Sequence, residues 1–440
     1  MTTWLDAAER FLIRRRPGRA LTWLAGTPIP VVRADRFAAV RPESASSAAD
    51  PSPLVGPIAP LAGRDDGALA GGVVIKDQID VAGLRTGVGL ADGGELALHD
   101  ATIVTRILAA GGHILGKAKM TELGIDGVGT LMHYSVPNNP RAPGYIPGGS
   151  STGTAVAVAA GLARYGVGGD GLGSVRIPAA FCGLVGLKPT RDRLPRDGIR
   201  SPVRTLDAVG PITRTVDDCA RLWQVMAGEP LEALSPLIPE RVGVPIYGGR
   251  LRVSRSVLAA FARVLATLGI GIERVEVPGL DRATFLGGMI GAHELATGAL
   301  GRRTQTQAGR MSLAVGGAFA DRDVARLARQ RALLREATLK VFERTPILAM
   351  PTTAIPPPAM TRTVREARTD LLLMRAIGAF TPLANLADLP AIAVPCGQDD
   401  RGRPLSIMFV TTPNDETRLL RIALAVERTG LAAAPVAVGA

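Results

Sequence analysis

Cysteine is scarce in this sequence. The 440 residues include only Cys182, Cys219 and Cys396, and no two of them have the CxxC spacing of a metal or redox site. An odd number of cysteines in apolar surroundings predicts neither a disulfide framework nor a zinc site. We therefore expect a protein of the reducing cytoplasm that holds no metal and no other cofactor.

Long apolar segments are absent as well. No apolar run approaches the roughly 18 residues that a membrane-spanning helix needs, so no membrane span is predicted. The segment 1–26 lacks the apolar core and the small-residue cleavage site of a signal peptide. With 47% hydrophobic and 20% charged residues, the composition is that of a packed globular protein.

Acidic residues are outnumbered by basic ones, which gives a formal charge of +12. The excess is carried by arginines scattered along the chain rather than by one block. No stripe of basic residues interleaved with aromatics accompanies the charge, and aromatics make up only 4% of the chain. A nucleic-acid partner is therefore not predicted.

Lysine is also scarce. The chain has 51 lysines and arginines together, yet four of its few lysines, Lys76, Lys117, Lys119 and Lys188, lie close together in the sequence. A buried lysine can lose its proton and act as a base, whereas an arginine stays charged. These lysines are therefore candidates for chemistry. Lys117 and Lys119 are predicted to begin a charged helix, and Lys188 to be a surface or packing residue.

The apolar pattern predicts an α/β fold. From residue 71 onward, short apolar strands alternate with longer amphipathic helices, which is typical of a large, mixed, mostly parallel twisted sheet covered by helices on both faces. We expect a helical segment and connector over 1–70, a single catalytic domain over 71–430 and a tail over 431–440. The predicted strands are Val73–Lys76, His113–Gly116, Arg241–Pro245, Ile272–Val277, Ile347–Met350, Ala391–Val394 and Leu405–Val410.

Helices are predicted where apolar residues recur at helical spacing. Asp100 and Asn414 are expected to cap the first and the last of them, and Thr215 the helix that ends at Ala227. The less patterned stretch 278–320 is expected to form loops that cover the substrate. The other predicted helices are Thr154–Arg164, Thr215–Ala227, Ser254–Leu268 and Asp321–Glu343.

Two glycine-rich turns contain serine, at 148–153 and 168–174. Glycine allows backbone N–H groups to converge on one point, which suits either a phosphate or an oxyanion. Neither turn has the spacing of a phosphate loop or a dinucleotide loop. The alternative is a serine nucleophile held against N–H donors, and such a serine needs a general base.

The general base is predicted to be a lysine rather than a histidine. None of the four histidines lies beside a GxSxG pattern, although His133 precedes the first turn. Burial lowers the pKa of a lysine from about 10.4 by up to several units. Lys76 ends an apolar run and fits this demand. A strand-end lysine paired with Asp77 or Asp80 explains the same pattern equally well.

Several long motifs follow one another along the chain. They are GVVIKDQIDVAGLRT at 72–86, GGSSTG at 148–153, GGDGLGSVRIPAAFCGLVGLKPT at 168–190, LDAVGPITRTVDDCA at 206–220, PILAMPTT at 346–353 and ANLADLPAIAVPCG at 384–397. Taken together, these motifs resemble the amidase signature family. The resemblance covers about residues 71–430 and implies the amidase-signature fold and hydrolysis of a small-molecule carboxamide.

The resemblance implies a role for each residue of a Ser-cisSer-Lys triad. Lys76 matches the base, Ser150 the serine after a cis peptide bond that relays protons, and Ser174 the nucleophile that forms an acyl-enzyme. Ser151 matches a supporting serine, and Asp170 with Arg176 matches a pair that braces the nucleophile turn.

The backbone N–H groups of Gly171, Leu172, Gly173 and Ser174 match the family's oxyanion hole. The family usually has glycine where this chain has Leu172 and Thr152, and Leu172 would be strained if its position required a positive φ. Three functions therefore stay open: a stand-alone amidase, the glutaminase subunit of a tRNA-dependent amidotransferase, and an acyltransferase or inactive relative. Substrate-pocket candidates are Met132, His133 and Tyr134, and a homodimer is expected.

Overall fold

The structure is a computed structural model that describes residues 32–33, 52–56, 67–247, 251–365 and 371–431. Most of the predicted N-terminal segment and tail lies outside these residues. The strands are β1 Val32–Arg33, β2 Leu54–Val55, β3 Gly72–Lys76, β4 Arg85–Thr86, β5 Glu95–Leu96, β6 His113–Ala118, β7 Tyr165–Asp170, β8 Val185–Lys188, β9 Ala208–Thr213, β10 Arg241–Pro245, β11 Leu251–Arg252, β12 Gly271–Val275, β13 Ile347–Pro351, β14 Ala391–Gln398 and β15 Pro404–Thr411.

Helices lie in about half of the connections between these strands. None in the described ranges is long and apolar enough to cross a membrane. The α-helices are α1 Thr102–Ala109, α2 Thr152–Ala159, α3 Arg176–Phe181, α4 Val216–Ala227, α5 Arg255–Thr267, α6 Ala283–Thr297, α7 Gln307–Gly316, α8 Asp321–Phe342, α9 Arg362–Arg365, α10 Leu371–Ile377, α11 Pro382–Leu386 and α12 Glu416–Arg428.

Eleven strands form one mixed sheet in the order β12-β10-β13-β15-β14-β8-β9-β7-β3-β6-β2. Parallel pairings join β12, β10 and β13 towards one end and β7, β3 and β6 towards the other, and the strands between them pair antiparallel. The predicted α/β fold class is confirmed. The apolar pattern does not indicate β7, because its sequence YGVGGD is half glycine and has no alternation.

Strand β3 shows how the sheet is buried on both faces. Successive side chains of a strand point to opposite faces. Val73 and Ile75 lie in one apolar cluster with residues of α1, α4 and α12, whereas Val74 lies in another with residues of α2. Lys76 follows Val74 by two residues and therefore faces α2. This places the lysine beside the turn that precedes α2.

The caps predicted for the first and the last helix are wrong, although both helices exist. Helix α1 begins one residue later than Asp100 would require, and the Asp100 carboxylate accepts a hydrogen bond from the Ala82 N–H at 2.7 Å instead. Asn414 adopts φ 64° in the turn before α12, whose N-cap residue is Asp415. Asparagine tolerates this left-handed conformation, which explains its place in the turn rather than at the cap.

The stretch 278–320 is largely helical, so the prediction of loops there is wrong. It contains α6 and α7, which pack against each other, and α6 also packs against α8 and α11. The sequence of α6, ATFLGGMIGAHELAT, distributes apolar residues and glycines around the whole helix. A helix that contacts neighbours on several sides has no single apolar stripe, and the stripe is the signal that sequence analysis detects.

The lysines near β3 are buried rather than exposed. Lys117 lies in β6, not at the start of a helix, and its Nζ is 3.5 Å from Asp77 Oδ1 and donates to Thr86 Oγ1 at 3.0 Å. Lys188 ends β8 in full burial, so the packing half of its prediction is confirmed and the surface half is wrong. Asp77 is thus paired with Lys117, which leaves Lys76 for another partner.

Thr215 is the N-cap residue of α4, as predicted, and its contribution to stability can be tested. The Thr215 hydroxyl accepts a hydrogen bond from the Asp218 N–H at 3.2 Å. Thr215→Ala should lower the free energy of unfolding by about 1 kcal/mol in chemical denaturation, because this N–H loses its acceptor. Thr215→Ser keeps the hydroxyl and is the matched control. Equal losses for the two variants would contradict the capping role.

Candidate active site

Lys76 meets Ser150 in the interior of the protein. Lys76 Nζ donates to Ser150 Oγ at 2.8 Å and to the Gly169 carbonyl oxygen at 3.0 Å. Both side chains are about 1% exposed, so no bulk water competes for these hydrogen bonds. The peptide bond between Gly149 and Ser150 is cis, as the resemblance implies. The structure therefore brings the predicted base and the predicted relay serine into direct contact.

The surroundings of Lys76 favour its neutral form. Burial lowers the pKa of Lys76 to about 8, and this effect outweighs the nearby carboxylates of Asp207 and Asp170, which raise it. An ammonium loses its hydration when it is buried, and two hydrogen bonds do not replace that hydration. Lys76 can therefore exchange its proton near neutral pH.

The two serine turns lie side by side. The Ser151 N–H donates to the Ser174 carbonyl oxygen at 3.3 Å, and the Ser151 hydroxyl donates to the Gly169 carbonyl at 3.2 Å. Gly169 thus accepts hydrogen bonds from both Lys76 and Ser151. Ser174 is 8% exposed and Ser150 about 1%, so the nucleophile candidate is the more accessible of the two serines.

A buried ion pair holds the nucleophile turn. Arg176 donates to Asp170 through Nε at 3.0 Å and through Nη2 at 2.9 Å, and neither side chain is exposed to solvent. The Arg176 guanidinium holds the pKa of Asp170 well below its usual range, against the effect of burial, which raises it. The predicted structural pair is therefore present as a bidentate salt bridge.

Two residues that the sequence motifs do not single out complete this brace. Asn385 Nδ2 donates to the Asp170 carboxylate at 2.9 Å, and Arg176 Nη1 donates to the Thr381 carbonyl at 2.8 Å. The Thr381 hydroxyl donates to the Leu172 carbonyl at 2.7 Å. The motif ANLADLP contains Asn385. Nothing in that motif shows that the Asn385 side chain contacts Asp170, which lies 215 residues earlier in the chain.

The backbone donors of the turn divide into two groups. The Gly173 N–H, one of the predicted oxyanion donors, donates to Asp170 Oδ1 at 2.7 Å and is therefore committed to the turn. The N–H groups of Gly171, Leu172 and Ser174 have no acceptor among the described residues. Three unpaired donors close to the largely buried Ser174 are arranged so that they can bind a developing negative charge.

The strain considered at Leu172 does not arise. The positive φ of the turn, 129°, belongs to Gly173, where a Cβ would approach Thr381 Oγ1 to 2.3 Å, and Leu172 is not among the residues with positive φ. At the other departure from the family pattern, the Thr152 hydroxyl is fully buried and has no hydrogen-bond partner among the described residues. The Thr152 hydroxyl lies close to Gly129, so Thr152 adds bulk there without adding a polar contact.

The candidate pocket residues lie on the segment that follows Glu122. His133 Nε2 is 3.4 Å from Glu122 Oε1, and the Lys119 ammonium lies 5.8 Å from the centre of the Tyr134 ring. These contacts do not involve the triad, so Met132, His133 and Tyr134 stay predictions as pocket residues. Within the described ranges, no group of three His, Cys, Asp or Glu side chains is placed to hold a metal ion.

Sequence comparison identifies the family. The Amidase family model matches residues 58–420, which is most of the chain. The chain belongs to the amidase family. A glutamyl-tRNA(Gln) amidotransferase subunit from Geobacillus stearothermophilus is 32% identical over 403 residues, covering 80% of this chain and 82% of that protein. The chain is thus an amidase-family enzyme.

Solved amidases share the architecture. The structure of a 6-aminohexanoate cyclic dimer hydrolase superposes with a TM-score of 0.73 at 26% identity and covers 83% of this chain and 86% of that one. The peptide amidase from Stenotrophomonas maltophilia superposes with a TM-score of 0.64 at 25% identity, over 83% and 84% of the two chains. The predicted amidase-signature fold is therefore confirmed.

The buried ion pair of Asp170 and Arg176 leads to a prediction about the stability of this amidase-family protein. Asp170→Asn should lower the free energy of unfolding by about 3–5 kcal/mol, because Arg176 stays buried without a counter-charge. The matched control is Glu95→Gln, which breaks an exposed contact with Arg200 and should cost no more than about 1 kcal/mol. Similar midpoints of chemical denaturation for Asp170→Asn and the wild type would contradict the bracing role.

Proposed function

We propose that the chain hydrolyses a carboxamide C–N bond through an acyl-enzyme on Ser174. The observation that carries the proposal is the 2.8 Å contact between the buried Lys76 amine and the Ser150 hydroxyl. Once Lys76 is neutral, its lone pair accepts the Ser150 proton, and Ser150 in turn accepts the proton of Ser174. The Ser174 oxygen then attacks the amide carbon. Water later releases the acid.

The N–H groups of Gly171, Leu172 and Ser174 are the proposed oxyanion hole. They have no competing acceptor among the described residues, so they are free to bind the oxygen that becomes negative in the tetrahedral intermediate. Gly173 is left out of this set because Asp170 accepts its N–H. The same Lys76–Ser150 relay returns the proton to the departing nitrogen, which leaves as ammonia or an amine.

Replacing the nucleophile tests the proposal. The wild type should release ammonia from at least one member of a panel of primary carboxamides, and Ser174→Ala should lower the turnover at least about 1000-fold because no acyl-enzyme forms. Ser235→Ala, which removes an exposed hydroxyl, is the matched control. Turnover that survives in Ser174→Ala would overturn the assignment of the nucleophile.

The lysine base sets the pH dependence. Below its pKa of about 8, Lys76 is protonated and cannot accept a proton. The value of kcat/KM should therefore rise about tenfold per pH unit up to about pH 8 and level off above it. Lys76→Arg should be inactive at every pH because a guanidinium does not deprotonate. A flat profile between about pH 6 and pH 9 would contradict a lysine base.

A second candidate is the glutaminase component of a tRNA-dependent amidotransferase. The 32% identity to a glutamyl-tRNA(Gln) amidotransferase subunit favours it, and the same serine and lysine chemistry would then act on glutamine. In that case the purified chain should hydrolyse glutamine in preference to simple amides, and a partner protein should raise the rate. Hydrolysis of simple amides with no detectable action on glutamine would exclude this candidate in favour of a stand-alone amidase.

A further inference from the structure

Leu172 lies two residues before Ser174, in the turn whose backbone N–H groups form the proposed oxyanion hole. Its N–H is one of the three unpaired donors among the described residues, and its carbonyl is held by the Thr381 hydroxyl at 2.7 Å. The backbone of Leu172 is therefore fixed. An acyl carbon whose oxygen binds the Leu172 N–H lies within contact distance of atoms of the same residue.

The Leu172 side chain is held against the glycine surface of α6. A Cβ at Gly287 would lie only 2.5 Å from Leu172 Cδ2, so the leucine occupies space that any other residue at 287 would need. One helical turn further on, a Cβ at Gly291 would lie 3.7 Å from Val203 Cγ2. Helix α6 thus has a glycine, Gly287, at the position where the Leu172 side chain packs against it.

Contacts at the end of α6 keep this helix in register with the site. Glu294 accepts hydrogen bonds from the Thr205 N–H at 3.1 Å and from the Thr205 hydroxyl. Thr205 belongs to the same loop as Val203, which also packs on the helix. The Leu172 side chain therefore packs against a helix that is itself anchored to the loop containing Val203 and Thr205.

Open space lies on the other side of the turn. A Cβ at Gly171 would meet no atom within 4 Å, and Gly171 is only partly buried. Gly171 and Leu172 are both partly exposed, but only Leu172 carries a side chain that fills space beside the turn. A leucine in this position removes volume beside the reacting carbon that a glycine would leave free.

We propose that Leu172, seated on Gly287, is the specificity-determining wall of the acyl pocket and restricts this enzyme to small apolar acyl groups. The inference rests on the proposed function, because it takes Ser174 as the nucleophile. Leu172 sets which acyl group fits, while its N–H serves every substrate. The substrate class is therefore amides of short, uncharged carboxylic acids.

The size selectivity proposed for Leu172 can be tested by labelling with fluorophosphonates, which requires no known substrate. Ser174 Oγ bonds to phosphorus as the P–F bond breaks, fluoride leaves, and the serine proton passes to the Lys76–Ser150 relay. The rate of labelling is followed by intact mass for a methyl-substituted and an octyl-substituted probe. The wild type should react faster with the methyl probe, and Leu172→Ala should shift the ratio of the two rates towards the octyl probe by at least about tenfold.

Two further variants test the contact with α6. Gly287→Ala should slow labelling by both probes, because its Cβ pushes Leu172 into the site, and the double variant with Leu172→Ala should recover the lost rate. Gly288→Ala, on the same helix but with no atom within 4 Å of its Cβ, is the matched control and should label like the wild type. Leu172→Met, of similar volume, should keep the wild-type ratio.

The outcomes separate this inference from the proposed function. Labelling of Ser174 with an unchanged ratio in Leu172→Ala would overturn the wall and leave the nucleophile intact. If Gly287→Ala slows labelling equally in the wild type and in the Leu172→Ala variant, the proposed contact between the two residues would also be overturned. If Ser174 is labelled by neither probe in the folded wild type, the proposed function fails and the wall fails with it.

Discussion

The active site depends on the burial of one amine. Lys76 ends a strand that is covered on both faces. It follows Val74 by two residues, so its side chain lies on the same face of the sheet and points to the loop before α2. Burial removes the hydration that normally stabilises an ammonium, which lowers the pKa of Lys76 to about 8. The same burial leaves Ser150 and the Gly169 carbonyl as its hydrogen-bond partners. The sheet thus buries the proposed base and directs its amine towards Ser150.

A second constraint shapes the nucleophile turn. Asp170 collects the Gly173 N–H, the Arg176 guanidinium and the Asn385 amide, so a single carboxylate ties the end of β7 to the start of α3 and to α11. Because Gly173 turns its N–H inwards, the donors on either side of it stay unpaired among the described residues. The brace and the proposed oxyanion hole are therefore two consequences of one backbone conformation.

Much of this site is predictable from the sequence because its chemistry is local. Lys76 is conspicuous in a chain that otherwise uses arginine, and the two serine turns are rich in glycine. Sequence analysis does not detect features that are long-range or that lack periodicity. Asn385 contacts Asp170 across 215 residues, and α6 has no apolar stripe. The accommodation of Leu172 by Gly287 also escapes, since two residues that compensate each other in space leave no mark in a single sequence.

The central claim is that Lys76 is a base that titrates near neutral pH, and NMR of the lysine side chains tests it most directly. With so few lysines, each ε-carbon resonance can be followed in protein labelled with 13C-lysine, and the Lys76 signal is the one lost in Lys76→Met. The account predicts that this signal titrates with a pKa of about 8. Titration at the ordinary lysine value of about 10.4 would contradict it.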